Sequence, residues 1–131
     1  CNVHFECPGH QQAHFDSPCD VRFTPDGQQL VVADHDNSRV QCLDLDGSFL
    51  SGTGQISLGA WARAVAVDAA GNIIVTTNNH VKVFSPEGTL LHDVLGGLVL
   101  RDAAHSGLTI DPSSGRIAVM DKEVGKPVML L

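Results

Sequence analysis

The chain has no tyrosine, one tryptophan, two methionines and only eight lysines and arginines among 131 residues. Each shortage excludes something. Against fifteen aspartates and glutamates the eight basic residues leave a formal charge of −7, and they are scattered, so no Lys/Arg face exists to neutralise phosphates. Nucleic acid is therefore not an expected partner, and an anionic membrane surface is disfavoured likewise. No apolar run approaches the ~18 residues that span a bilayer, and no stretch resembles a secretory leader. Three common catalytic signatures are also missing: the G-x-S-x-G nucleophile elbow, the H-E-x-x-H zinc helix and the phosphate-cradling P-loop. The first residue is Cys1 rather than methionine, which leaves targeting unread and the compartment open, with the cytoplasm favoured.

What is present is a repeat. Hydrophobic residues make up 43% of the chain, enough for a core. They fall into short runs rich in Val, Leu and Ile, separated by Gly, Asp and Pro turns, which is the pattern of strands. From Ser17 to Gln55 there are four runs: Val21 to Thr24, Leu30 to Ala33, Val40 to Leu45 and Ser48 to Ser51. Asp46-Gly47 between the last two is a hairpin signal, because Asp and Gly tolerate positive φ. The unit reads as a four-stranded antiparallel meander. Ala64 to Gly97 repeats it, with Val65 on Val21, Gly71 on Gly27, Val81 on Val40 and Gly88 on Gly47, at a spacing of 41 to 44 residues. Ser106 to Leu131 begins a third copy, with Gly115 another 44 residues on. A four-stranded repeat of this length is a propeller-blade signature.

The sequence thus predicts one all-β domain of about thirteen short strands. Residues 1–15 end an earlier blade, since Phe5 to Gly9 lies on Phe84 to Gly88; residues 17–55 and 60–97 are blades, and 104–131 is an incomplete one. The first strand of each blade lies nearest the axis, and the second, apolar on both faces, is buried between neighbours. About three blades do not close a ring. Apolar outer faces, with Val3 and Phe5 at one end and Val119 and Met120 at the other, are expected to stay open and to promote self-association.

In such a meander the loops between second and third strands share one end of the disc with the blade-to-blade crossings. That end gathers the polar and aromatic residues, and loops on a rigid scaffold are where binding residues concentrate. The candidate ligand-binding set is His35, Asn37, Arg39, Trp61, Arg63, Asn78, His80, Arg101 and His105. Trp61 is either a partner anchor or packing between blades. His35, His80 and His105, from successive blades, suit a metal or acid/base role or are simply surface loop residues. Asp34 is expected to fix its loop by hydrogen bonding, worth about 1 kcal/mol. Cys7-x-x-His10, within a cluster of Cys1, His4, His14 and Cys19, would suit half a zinc site, but no second pair has ligand spacing. Cys42 reads as a small buried hydrophobe. No metal and no cofactor is expected.

The first copy resembles an NHL repeat. Pro18, DVRFT, PDGQQLVVAD, NSRVQCLD and DGSFL carry the likeness; the second copy keeps AVAVD, GNIIV, HVKVF and EGTLL, and the third keeps GLTID and GRIAVMD. Resemblance to that family implies a six-bladed propeller used as a recognition module, as in TRIM-NHL ubiquitin ligases. Some members bind RNA stem-loops on a basic face, which this chain lacks. Asp34, Asn37 and Arg39 match the family's AD-N-R element. The expected function is a non-catalytic module that binds protein through its loop end. The rival is a fragment of a propeller hydrolase or lyase of the gluconolactonase or peptidyl-hydroxyglycine lyase type, whose metal ligands converge on the axis. The inner strands here begin with Asp20, Arg63 and Ser106, a set with one carboxylate.

Overall fold

The computed structural model describes residues 14–49, 54–78, 80–94, 107–121 and 126–130. Every regular element among them is a strand: β1 (Pro18–Phe23), β2 (Gln29–Asp34), β3 (Arg39–Asp44), β4 (Gln55–Ser57), β5 (Ala64–Val67), β6 (Ile73–Thr76), β7 (Val81–Phe84), β8 (Leu90–Val94), β9 (Leu108–Ile110), β10 (Ile117–Asp121) and β11 (Lys126–Leu130). The expected strands before residue 14 lie outside the described residues. Neighbours in sequence pair antiparallel into three sheets, β1 to β4, β5 to β8 and β9 to β11, which are the three expected blades.

A turn closed by a glycine amide joins the first two strands of each blade. Gly71 donates to the Asp68 carbonyl at 3.0 Å while Asp68 Oδ1 accepts from the amides of Ala70 and Asn72 at 3.0 and 2.8 Å. Gly27 closes the same turn on Thr24 at 2.8 Å, whereas Gly115 closes a turn one residue longer on Asp111 at 2.8 Å. The requirement for glycine is concrete at Gly71, where φ is 87° and a Cβ would stand 3.2 Å from Pro86 Cγ.

The fourth strand of the first blade differs from expectation. The Asp46-Gly47 turn forms, with Gly47 donating to the Asp44 carbonyl and Asp44 donating to the Ser48 carbonyl, both at 2.9 Å. Beyond it Phe49 bridges to Leu43, residues 50–53 lie outside the described residues, and the regular strand that follows is β4, set against Arg39 to Gln41. Packing decides this: Ile56 of β4 lies opposite Val40 in the core between blades at 5% exposure, while Phe49 turns to the other face and joins Phe15 over Val32 and Leu43.

The core is a set of blade-to-blade interfaces. Val31, Ala33, Val40 and Cys42 of the first blade meet Val65, Ile73, Val75 and Phe84 of the second. The second blade's other face, Ala64, Ala66, Ile74 and Val81, meets Leu108 and Val119 of the third. Burying a Val or Ile side chain stabilises by about 1.5–3 kcal/mol, so these faces dominate the packing energy. β1 lies beside β5 and β5 beside β9, which places the first strand of each blade innermost. Val119 is therefore not on an open face: it is fully buried against the second blade, and Met120, the next residue, points outward at 44% exposure. Successive strand residues face opposite sides of a sheet, so the two cannot share a face. Val3 and Phe5 lie outside the described residues.

Candidate functional site

The loop from β2 to β3 is built around a buried carboxylate. Asp34 is fully buried and accepts from Asp16 N at 2.8 Å, Asn37 Nδ2 at 3.0 Å, Arg39 Nε at 2.7 Å and Gln41 Nε2 at 3.3 Å. Arg39, 3% exposed, also donates to the His14 carbonyl at 2.7 Å and to Gln55 Oε1 at 3.4 Å. Ser38 takes the left-handed position of the turn, φ 51°, and its amide donates to the His35 carbonyl at 3.0 Å. Arg39 and the amide of Asn37 thus point inward, toward Asp34.

The next residue along the loop points the other way. His35 stacks on Trp61, ring centroids 5.2 Å apart at 27°. Trp61 lies in the crossing from β4 to β5 and is 48% exposed, so it is a surface residue rather than packing between blades. The Arg63 guanidinium carbon lies 5.8 Å from the same ring centroid, within cation–π range. Asn78 Oδ1 accepts from Arg63 Nε at 3.2 Å and holds it there. The terminal nitrogens of Arg63 have no partner among the described residues. Asp36 fixes the other side: Oδ1 meets His35 Nδ1 at 2.5 Å and Oδ2 accepts from Ser17 Oγ at 2.6 Å. The Ser17 hydroxyl, then His35, hold the Asp36 carboxyl below its usual range, so it is ionised at neutral pH.

Of the sequence-derived set, the structure brings His35, Trp61, Arg63 and Asn78 into one patch. Asn37 and Arg39 belong to the Asp34 network beneath it. His80 stands apart: its Nδ1 meets Asp93 Oδ1 at 2.6 Å, with Lys82 Nζ 3.7 Å from the other oxygen. Arg101 and His105 lie outside the described residues, as do Cys1, His4, Cys7 and His10. Cys19 is exposed, its Sγ 2.9 Å from the Arg63 carbonyl, and Cys42 is buried. Ser17 was missed; nothing in its sequence context announces a hydroxyl aimed at a loop nineteen residues away.

No protein-family profile matches the chain, and no curated protein matches it in sequence. Solved structures do. The hydrazine synthase of Kuenenia stuttgartiensis gives a TM-score of 0.64 at 18% identity, over 92% of this chain and 37% of its own. A gluconolactonase of Xanthomonas campestris gives 0.64 at 22%, over 85% and 37%. Virginiamycin B lyase of Staphylococcus aureus gives 0.61 at 16%, over 86% and 40%. All three are β-propeller proteins. The three sheets are β-propeller blades. The chain spans about two fifths of the length of these propellers, and at such identities the likeness concerns the fold.

The inner strands of a propeller line its axis, and there Asp20 is already committed. Its Oδ1 accepts from Arg22 Nη1 at 2.8 Å and from Val21 N at 3.0 Å, while Oδ2 accepts from Val65 N at 2.9 Å and ties β1 to β5. Among the described residues no group of three or more His, Cys, Asp or Glu side chains is placed to hold a metal ion.

Proposed function

We propose that this chain is part of an NHL-type six-bladed propeller and serves as a non-catalytic module that binds a protein partner on its loop end, around Trp61. The observation that carries this is the state of Trp61 and Arg63: a half-exposed indole, held in place by His35, beside a guanidinium whose terminal nitrogens have no partner among the described residues. Trp and Arg are the residues most enriched where protein partners draw their binding energy. The partner lays an apolar side chain on Trp61 and offers an acceptor oxygen to Arg63. Support for the NHL assignment comes from Asp34, Asn37 and Arg39, which match that family's loop element and form one hydrogen-bonded unit here.

A second reading, a fragment of a propeller hydrolase or lyase with an axial metal, is favoured by the fold likeness to a gluconolactonase and a lyase. The two are separated by affinity capture with Trp61→Ala and Arg63→Met as paired controls, alongside calcium and zinc titration. Binding reads out as a defined protein retained by the wild type and lost with both variants. Stoichiometric metal together with lactone hydrolysis, unaffected by Trp61→Ala, would instead establish the enzyme.

A further inference from the structure

The acids of the chain give the end of the disc away from Trp61 a charge of one sign. In each sheet the connections from first to second strand and from third to fourth emerge together on that end, because neighbouring strands run antiparallel. Asp26, Asp46, Asp68, Glu87 and Asp111 stand one in each of these turns, and Arg116 is the only base in them. The turn end therefore carries a negative potential that draws cationic groups toward it.

A groove of about 300 Å³ opens on this end between the first blade and the second. That is the low end of ligand-sized cavities, enough for one long side chain. Val31, Cys42 and Ile73, all buried in the core between the blades, form its floor. Pro25 walls it on one side, and exposed Ala69 and Ala70 with Pro86 on the other. Gly27 and Gly71 close equivalent turns, so Ala69 and Ala70 stand where the first blade has Pro25 and Asp26, and their small side chains leave the space open. The groove is bounded by neighbouring blades on both sides and does not depend on how the propeller continues.

Asp26 is the one charged residue lining it. Its Oδ1 accepts from Thr24 Oγ1 at 2.6 Å and from Gln28 N at 3.0 Å. These bonds, Thr24 first, hold the carboxyl below its usual range, so it is ionised at neutral pH. Oδ2 receives no hydrogen bond from another described residue. A guanidinium fork engages both oxygens of a carboxylate, whereas an ammonium engages one. We propose that this groove takes a lysine side chain of a protein partner, with its methylenes on Val31, Cys42 and Ile73 and its ammonium on Asp26 Oδ2. An apolar stem with a charged tip matches an apolar floor with a carboxylate at the rim. The site lies at the opposite end of the disc from Trp61 and is independent of the patch there.

The test is a nuclear magnetic resonance titration of the isotope-labelled chain with acetyl-Gly-Lys-Gly-amide, and with the same peptide carrying norleucine for lysine. The expected result is saturable shifts at the amides of Asp26, Cys42 and Gly71 with none at Arg63, and binding of the norleucine peptide weaker by about fivefold. Asp26→Asn keeps the oxygen that closes its turn and should weaken the lysine peptide by about threefold. Ala70→Leu, with Ala69→Leu as a second filler, narrows the groove at constant charge and should abolish the shifts. Asp46→Asn, in a turn outside the groove, and Trp61→Ala, at the other end, should leave binding unchanged; unchanged far-ultraviolet circular dichroism confirms that the variants fold. No saturable shift, equal binding of the two peptides, equal effects of Asp26→Asn and Asp46→Asn, shifts that survive both fillers, or spermidine bound as tightly as the peptide would each overturn the proposal.

Discussion

Replacing Asp34 by alanine removes the one acceptor on which four donors converge. Three of them, Asp16 N, Asn37 Nδ2 and Gln41 Nε2, are neutral, and losing such a bond costs about 1 kcal/mol when the donor finds water again. The fourth decides the magnitude. Arg39 is 3% exposed and fixed between β3 and β4, so its charge stays buried when the Asp34 carboxylate is taken away. Breaking a buried ion pair from one side costs about 3–5 kcal/mol, and that figure replaces the 1 kcal/mol expected from the sequence. Domains of this kind are stable by only about 5–15 kcal/mol, so Asp34→Ala should bring the chain close to unfolding at room temperature. Urea unfolding followed by fluorescence of Trp61, the sole tryptophan, measures it. The double variant Asp34→Ala/Arg39→Met removes both charges and should be more stable than the sum of the singles predicts, by about 2 kcal/mol. A single-variant cost of 1 kcal/mol or less, or strict additivity, would refute the assignment of Asp34 and Arg39 as one buried unit.

Gly71→Ala forces a side chain into φ 87° and to 3.2 Å from Pro86, and should cost about 1–2 kcal/mol, read from the same urea midpoint. Burial pushes the Cys42 thiol up to about 11, while Cys19 is exposed; mass spectrometry should find Cys19 alkylated in the native protein and Cys42 only after unfolding. The hydroxyl of Ser114, with the amide and hydroxyl of Ser113, lowers the Asp111 carboxyl from its usual 3.8 to about 2. Its folded value lies below its unfolded one, so its contribution is present above pH 4 and lost as the pH falls toward 2. Asp111→Asn should therefore lower the melting temperature at pH 6 more than at pH 2.5, and a pH-independent difference would contradict it.

The blades were legible because their turns carry local chemistry. Gly27, Gly71 and Gly115 mark turns whose hydrogen bonds close within a few residues, so sequence alone places them. Non-local choices were not legible. That Gln55 to Ser57 pairs with Arg39 to Gln41 depends on which residue fills the space beside the second blade, and Ile56 does. The exposure assigned to Val119 failed for the same reason: strand alternation puts Val119 and Met120 on opposite faces, but which face is covered depends on the neighbour. At the loop end, residue types picked out His35, Trp61, Arg63 and Asn78, yet only the three-dimensional packing of the first crossing on the β2–β3 loop separates this group from His80.

Asp34, His35 and Asp36 are consecutive, and the loop sends them to different places: Asp34 into the buried network, His35 under Trp61, Asp36 toward Ser17. The inner residue sets the outer ones, since Asp34 draws in Asn37 and Arg39 on the far side of the turn and leaves little freedom for His35. An indole that rests on a fixed imidazole loses less entropy when a partner covers it, which is how rigid anchors raise affinity without added contacts. Asp34→Ala should then weaken binding as well as stability, although Asp34 touches no partner, whereas Trp61→Ala, at a half-exposed site, should weaken binding at nearly constant stability. If Asp34→Ala under native conditions binds as the wild type does, the buried network serves the blade alone and the patch is positioned by Asn78 and Ser17 instead.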